Sequence, residues 1–217
     1  MSEAKQAQKP EDQAAQAGPQ EDKPQIRIPG EELLLRVAAL GSFDPTEAEA
    51  ALLGPGGESV ALDVREILAR EASPESELAV LFHLPGIDTV QEITAAIPAG
   101  APDGLYDLRV TLGGLEYHSR NAVQVRAAYP DDWNLVHITD THVGFSGEVY
   151  TSAERLRQLV REANFLNPDL VVVTGDICEN QNLENEAWVD SFLAIPAGFR
   201  VPVVVLPGNH APYNAGG

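Results

Sequence analysis

The sequence predicts an α+β protein of two parts, an N-terminal antiparallel β-sandwich and then a partial α/β unit of β-α-β-α-β order. Three observations predict it. Residues 26–128 break into short apolar stretches split by Gly and Pro turn signals, the spacing of a sandwich. Residues 134–217 alternate fully apolar runs with helical patterns, as parallel strands joined by right-handed crossovers do. Residues 1–25 hold no aromatic and no β-branched residue, so they cannot offset their ordering entropy and are expected to form a disordered tail.

Taken in order, Leu33 to Val37 precedes Gly41, and Ala50 to Leu53 precedes the turn Gly54-Pro55-Gly56-Gly57. That turn has no Gly-Lys-Ser/Thr after it and is not a phosphate loop. Val64 to Arg70 reads as a strand or a short helix, and Leu78 to Phe82 as a strand before Pro85-Gly86. Gly104 to Val110 and Asn121 to Val125 alternate with period two. The run Pro98-x-Gly-x-Pro-x-Gly-Leu-Tyr-Asp-Leu resembles the strand entry of immunoglobulin-like or fibronectin-like modules. Ala127 to Asp132 marks the boundary.

Beyond it, Leu135 to Ile138 is a strand. Thr151-Ser152-Ala153-Glu154 is a capping box opening a helix with Leu156, Leu159, Val160 and Ala163 on one face, ending near Asn167-Pro168. Leu170 to Val173 is a second strand, Glu184 to Leu193 a helix carrying Trp188 and Phe192, and Val203 to Leu206 a third strand.

Charge narrows the function classes. The 217 residues carry 33 acids against 14 basic residues, a formal net charge of −19. A polyanionic partner is repelled by such a chain, so nucleic acid and anionic membrane surfaces are not expected. Divalent cations are attracted. All three lysines (Lys5, Lys9, Lys23) lie in the tail, and the rest of the chain uses arginine only. Cys178 is the one cysteine, so no intramolecular disulfide forms. There is neither an apolar run of membrane-spanning length nor an N-terminal leader, which predicts a cytoplasmic protein without a membrane span.

Each predicted parallel strand is followed at once by residues of one chemical type. The first ends in Thr139-Asp140-Thr141-His142, the second in Thr174-Gly175-Asp176 and the third in Pro207-Gly208-Asn209-His210. In an open α/β sheet the site lies beyond the carboxyl ends of the strands. If the three strands are neighbours, Asp140, His142, Asp176, Asn209 and His210 converge there. Carboxylate, imidazole and amide donors together suit Zn, Fe or Mn. Asp176, central in order, is the natural bridge between two metals. Gly175 and Gly208 let the backbone turn sharply beside a metal or phosphate. Alone, each motif is better explained by polar loop residues in capping roles. The order and spacing argue otherwise, since the gaps from 140 to 176 and from 176 to 209 are each one βα unit long. Elsewhere, His83 and His118 read as ordinary strand residues, His137 as a packed mid-strand residue and Cys178 as a small buried one. Glu179 and Asn182 are near enough in sequence to touch the pocket.

These three blocks, Asp140-x-His142, Gly175-Asp176 and Gly208-Asn209-His210, resemble the first three motif blocks of calcineurin-like metallophosphoesterases. The resemblance covers about residues 134–217. It implies a four-layer αββα fold of which this chain holds part, preceded in some relatives by a β-sandwich. It also implies two divalent or trivalent metal ions (Fe, Zn or Mn). Asp140 and His142 would bind the first metal, Asp176 would bridge both, and Asn209 would bind the second. His210 would act on the phosphoryl group or leaving oxygen of a small phosphoester substrate. The metals would bind the phosphate oxygens and activate a water.

Two departures stand out. The family's later histidine ligands, including a Gly-His-x-His block, are absent from this sequence, and Ala211 stands where an acidic residue usually orients the histidine. No tyrosine follows Asp176 at the offset that would mark a tyrosinate-iron site; Cys178-Glu179 stand there. The expectation is therefore an incomplete phosphoesterase domain, weak in metal binding and hydrolysis by itself. A non-catalytic β-sandwich interaction module with a remnant phosphoesterase segment is the alternative. A chain that takes its missing histidines from a second copy is a further one. Substrate and oligomeric state stay open.

Overall fold

The computed structural model describes residues 17–18, 24–38, 42–71, 89–143, 152–176 and 196–207. The expected strand at Leu78 to Phe82 and helix at Glu184 to Leu193 lie outside the described residues, as does Thr151 of the expected capping box.

Two sheets form the N-terminal part. The strands β1 (Ala17–Gly18), β3 (Glu32–Val37), β6 (Asp63–Glu71) and β7 (Thr89–Ala96) make one, in the order β1-β3-β7-β6. The other holds β2 (Gln25–Arg27), β4 (Ala48–Leu53), β5 (Ser59–Ala61), β8 (Gly104–Leu112) and β9 (Leu115–Val125), in the order β2-β9-β8-β4-β5. Period-two alternation builds their common core. Leu33, Leu35 and Val37 of β3 and Ile93 and Ala95 of β7 meet Leu52 of β4, Leu108 and Val110 of β8 and Val123 and Val125 of β9. This is compatible with the β-sandwich that the sequence predicts. Leu34, in the middle of the Leu-Leu-Leu run, points outward.

Three details differ from the sequence reading. First, the strand pairing is mixed and not purely antiparallel, because β2 pairs with β9 in parallel, Gln25 opposite Val123. The chain crosses from one sheet to the other between β2 and β3, turning at Gly30 in a left-handed conformation (φ 91°). Second, Val64 to Arg70 is a strand, paired with β7. A register shift between Val64 and Glu66 brings Val64 and Ile67, three apart, onto the same core. A bulge thus produces the spacing that also reads as helical. Third, within the segment expected to be disordered, Ala17 and Gly18 pair antiparallel with Val37 and Arg36.

Tyr106 is buried in this core, and its hydroxyl donates to the Pro102 carbonyl at 2.9 Å. Across an irregularity in the β8–β9 pairing, Asp107 accepts the Asn121 N–H at 2.8 Å. On the outer face Glu92 joins Arg36 of β3 to Arg70 of β6, at 3.0 and 2.9 Å.

The second unit is a parallel sheet of β10 (Leu135–Thr139), β11 (Leu170–Gly175) and β12 (Val203–Pro207), with β11 in the centre. The helix α1 (Ser152–Leu166) lies between β10 and β11 in the chain. Ile138, Val171, Val173, Val203 and Val205 form one sheet face and pack with Leu156 and Ala163 of the helix and with Phe199. Val160 is partly buried there, whereas Leu159, expected on the same face, is exposed. It lies three residues past Leu156, at the margin of the apolar stripe. The helix ends as expected: Asn167 turns left-handed (φ 47°), donates its N–H to the Ala163 carbonyl, and is followed by Pro168. Among the described residues no helix is long and apolar enough to cross a membrane.

The two units are joined between β9 and β10. Arg126 donates to Asp169 at 2.7 Å, and its guanidinium lies 5.6 Å from the Trp133 ring centroid. Asp169 also accepts the Asn134 N–H at 2.9 Å and returns its own N–H to the Asn134 carbonyl. Tyr129 reaches back to Glu31 of the N-terminal part, donating to its carboxylate at 2.6 Å.

Candidate metal centre

The parallel register of the sheet assembles the site. Thr139 stands opposite Thr174 at the carboxyl ends of β10 and β11, and Gly175 stands opposite Pro207 of β12. The strand pairing continues into the following loops. Asp140 donates its N–H to the Thr174 carbonyl at 3.3 Å, and His142 donates to the Asp176 carbonyl at 2.9 Å. Val143, buried among the helix-side core residues, anchors the far end of the first loop.

Asp140 (φ 53°), His142 (φ 41°) and Gly175 (φ 79°) all lie in the left-handed region. For the two residues bearing a side chain this conformation costs about 1–2 kcal/mol each, and such strain collects at functional sites. Gly175 behaves as the sequence suggests. A Cβ there would lie 3.0 Å from Thr139 Oγ1 and 3.5 Å from Asp140 Oδ2.

The outcome is a cluster of Asp140, His142 and Asp176, one ligand atom from each lying within 4.8 Å of the others. Asp140 is exposed; His142 and Asp176 are half-buried. Even at the outer limit of 4.8 Å, two carboxylate charges repel by about 1 kcal/mol in water and about 3.5 kcal/mol at an effective dielectric of 20, so a cation between them is favoured. Two carboxylates and an imidazole are also a donor set for Zn, Fe or Mn, and the residues present fit such an ion.

Asn209 and His210 lie outside the described residues, as do His83, Cys178, Glu179 and Asn182. His118 is an exposed residue of β9. His137 departs from expectation: it is exposed, not packed, and its Nε2 lies 2.7 Å from Thr174 Oγ1. Ile138 of β10 takes the helix side, so His137 falls on the opposite face. Sequence reading also passed over Thr139, whose hydroxyl donates to Asp140 Oδ2. The signal was available, a hydroxyl residue closing an otherwise apolar strand directly before a candidate ligand.

Residues 134–216 match the family model of calcineurin-like phosphoesterases. No curated protein matches the sequence. Among solved structures, the purple acid phosphatase PPD1 from yellow lupin (Lupinus luteus) seeds is similar over 91% of this chain and 35% of its own, at 15% identity and TM-score 0.37. Amylomaltase from Corynebacterium glutamicum is similar over 70% of this chain and 21% of its own, at 13% identity and TM-score 0.33. The chain thus spans about a third or less of each, and likenesses this distant carry no argument about fold or activity.

Proposed function

We propose that this chain contributes to the metal centre of a phosphoester hydrolase, with a small-molecule phosphoester as substrate, because residues 134–216 match the family model of calcineurin-like phosphoesterases. One observation carries the reading. Within that same segment, Asp140, His142 and Asp176 come together at the carboxyl ends of adjacent parallel strands.

Asp140 and His142 would hold one metal ion, and Asp176, which directly follows the central strand, would be shared with a second one. Asn209 would be a ligand of the second metal, and His210 would meet the phosphoryl or leaving oxygen. Both follow β12 in sequence, and β12 pairs with β11, the strand that Asp176 follows. When bound, the metals supply positive charge for the phosphate oxygens and lower the pKa of a water. The chain's own part is positional. Backbone bonds between the two loops fix Asp140 and His142 relative to Asp176, and Gly175 leaves room for their close approach. At a net charge of −19, phosphate binding by this chain depends on those cations. The buried Tyr106, bonded to the Pro102 carbonyl, supports an immunoglobulin- or fibronectin-like module before this unit.

The test is Mn²⁺ and Zn²⁺ binding by calorimetry on the chain and on its Asp140→Asn and Asp176→Asn variants, with hydrolysis of p-nitrophenyl phosphate esters followed with and without chelator. The expected result is weak binding by the wild type, abolished in both variants, and slow turnover that chelator removes. A wild type that binds neither metal, or variants that bind as tightly as it does, would refute the proposal.

A further inference from the structure

Thr139 is the last residue of β10, opposite Thr174 of β11. Its Oγ1 donates to Asp140 Oδ2 at 2.5 Å, within the range of a charge-assisted O–H···O⁻ bond. The hydroxyl and the carboxylate both sit against Gly175, where a Cβ would meet them at 3.0 and 3.5 Å. Three features thus converge on the Asp140 carboxylate. Strand register sets where Thr139 stands, the missing side chain at 175 leaves its hydroxyl in place, and the hydroxyl fixes the rotation of the carboxylate. Asp140 is the exposed member of the cluster, so it has the most rotational freedom to lose when it binds an ion.

We infer that Thr139 is a positioning residue for the metal centre, its hydroxyl holding the Asp140 carboxylate in the orientation that forms the cluster with His142 and Asp176. The inference rests on the metal-centre reading above and adds to it a residue that acts through a ligand. Partners of this kind orient a ligand and tune its affinity, and their loss typically weakens metal binding by about 10–100-fold.

The experiment is a Mn²⁺ titration of the full chain, reading the loss of the free-ion electron paramagnetic resonance signal. Wild type, T139V, T139A and T139S are compared, each with a thermal melt in the absence of metal. Valine keeps the β-branched shape of threonine without the donor, alanine removes the donor without adding an apolar group in its place, and serine keeps the hydroxyl. The expected result is a loss of affinity of about 10-fold or more in the two donor-free variants, with serine within about 3-fold of wild type and the melts unchanged. If one donor-free variant melts early, the other gives the reading. Donor-free variants that bind Mn²⁺ as wild type does would overturn the inference alone. Serine as impaired as valine would do the same. A wild type that does not bind Mn²⁺ overturns the metal-centre reading, and the inference with it.

Discussion

Truncating Asp169 to alanine perturbs the joint between the two units at one point. Its carboxylate accepts two bonds, from Arg126 at 2.7 Å and from the Asn134 N–H at 2.9 Å. Each is a bond to a charged group, worth about 1.5 kcal/mol at the lower end of that class, or about 3 kcal/mol for the two before solvent is counted. The Arg126 and Asp169 side chains are 25% and 15% exposed, so water takes over part of the bonding once the carboxylate is gone. The expected loss is therefore about 2 kcal/mol at neutral pH. The effect carries a pH signature. The Asn134 N–H, and after it the Arg126 guanidinium, hold the Asp169 carboxyl below the ordinary range against a smaller opposing push from burial. A depressed folded pKa means that the unfolded chain takes up the proton first as pH falls. The stabilisation is complete above the unfolded value, about 3.9, and disappears as pH drops through the folded value. The assay is urea unfolding of wild type and Asp169→Ala at a series of pH values, by circular dichroism and tryptophan fluorescence together, since coincident curves are needed for a two-state reading. Trp133, beside Arg126, reports locally. A difference under about 0.5 kcal/mol at pH 7, or one that stays constant as the pH falls well below 4, would refute the reasoning.

Other consequences are as direct. Tyr106→Phe keeps the buried ring but loses the bond to the Pro102 carbonyl, and a loss of about 1 kcal/mol is expected from the urea midpoint at unchanged slope. Leu108→Ala removes a fully buried side chain from the shared core and is expected to cost about 2–5 kcal/mol by the same measurement. Gly175→Ala places a Cβ 3.0 Å from Thr139 Oγ1 at a φ of 79°, so about 1–2 kcal/mol of stability and most of the Mn²⁺ affinity should be lost. Arg126→Met combined with Asp169→Ala in a double-mutant cycle should show a coupling of about 1 kcal/mol that shrinks in high salt.

The parts that the sequence made legible are those where one signal dominates. Tyr106, Leu108, Val110 and Leu112 alternate without interruption, and all four are buried. The all-apolar β11 run could belong only to a strand covered on at least one face, and it forms the centre of the parallel sheet. Where two signals compete, the reading fails or divides. Val64 and Ile67 share a core only because a bulge intervenes, and an unmarked bulge is indistinguishable from helical spacing. His137 looked packed because its neighbours are apolar, yet a strand residue takes its environment from the face it is on. The parallel β2–β9 pair depends on a crossing between sheets that no local pattern announces.

For the site itself, sequence supplies the residue types and the chain order, while the left-handed turns supply the convergence. An extended continuation of β10 beyond Thr139 would carry Asp140 and His142 onward along the strand direction, away from the loop that follows β11. Both residues instead turn left-handed, and each N–H then bonds to a carbonyl of that loop, Thr174 for Asp140 and Asp176 for His142. Two backbone bonds of this kind, at about 0.5–1.5 kcal/mol each, offset much of the conformational cost of the two turns. The chain thereby holds two like-charged carboxylates close together, with backbone bonds between the loops and the Thr139 hydroxyl on Asp140 among the groups that place them. A cation that enters finds the ligands already gathered, and a smaller ordering cost remains to oppose its binding.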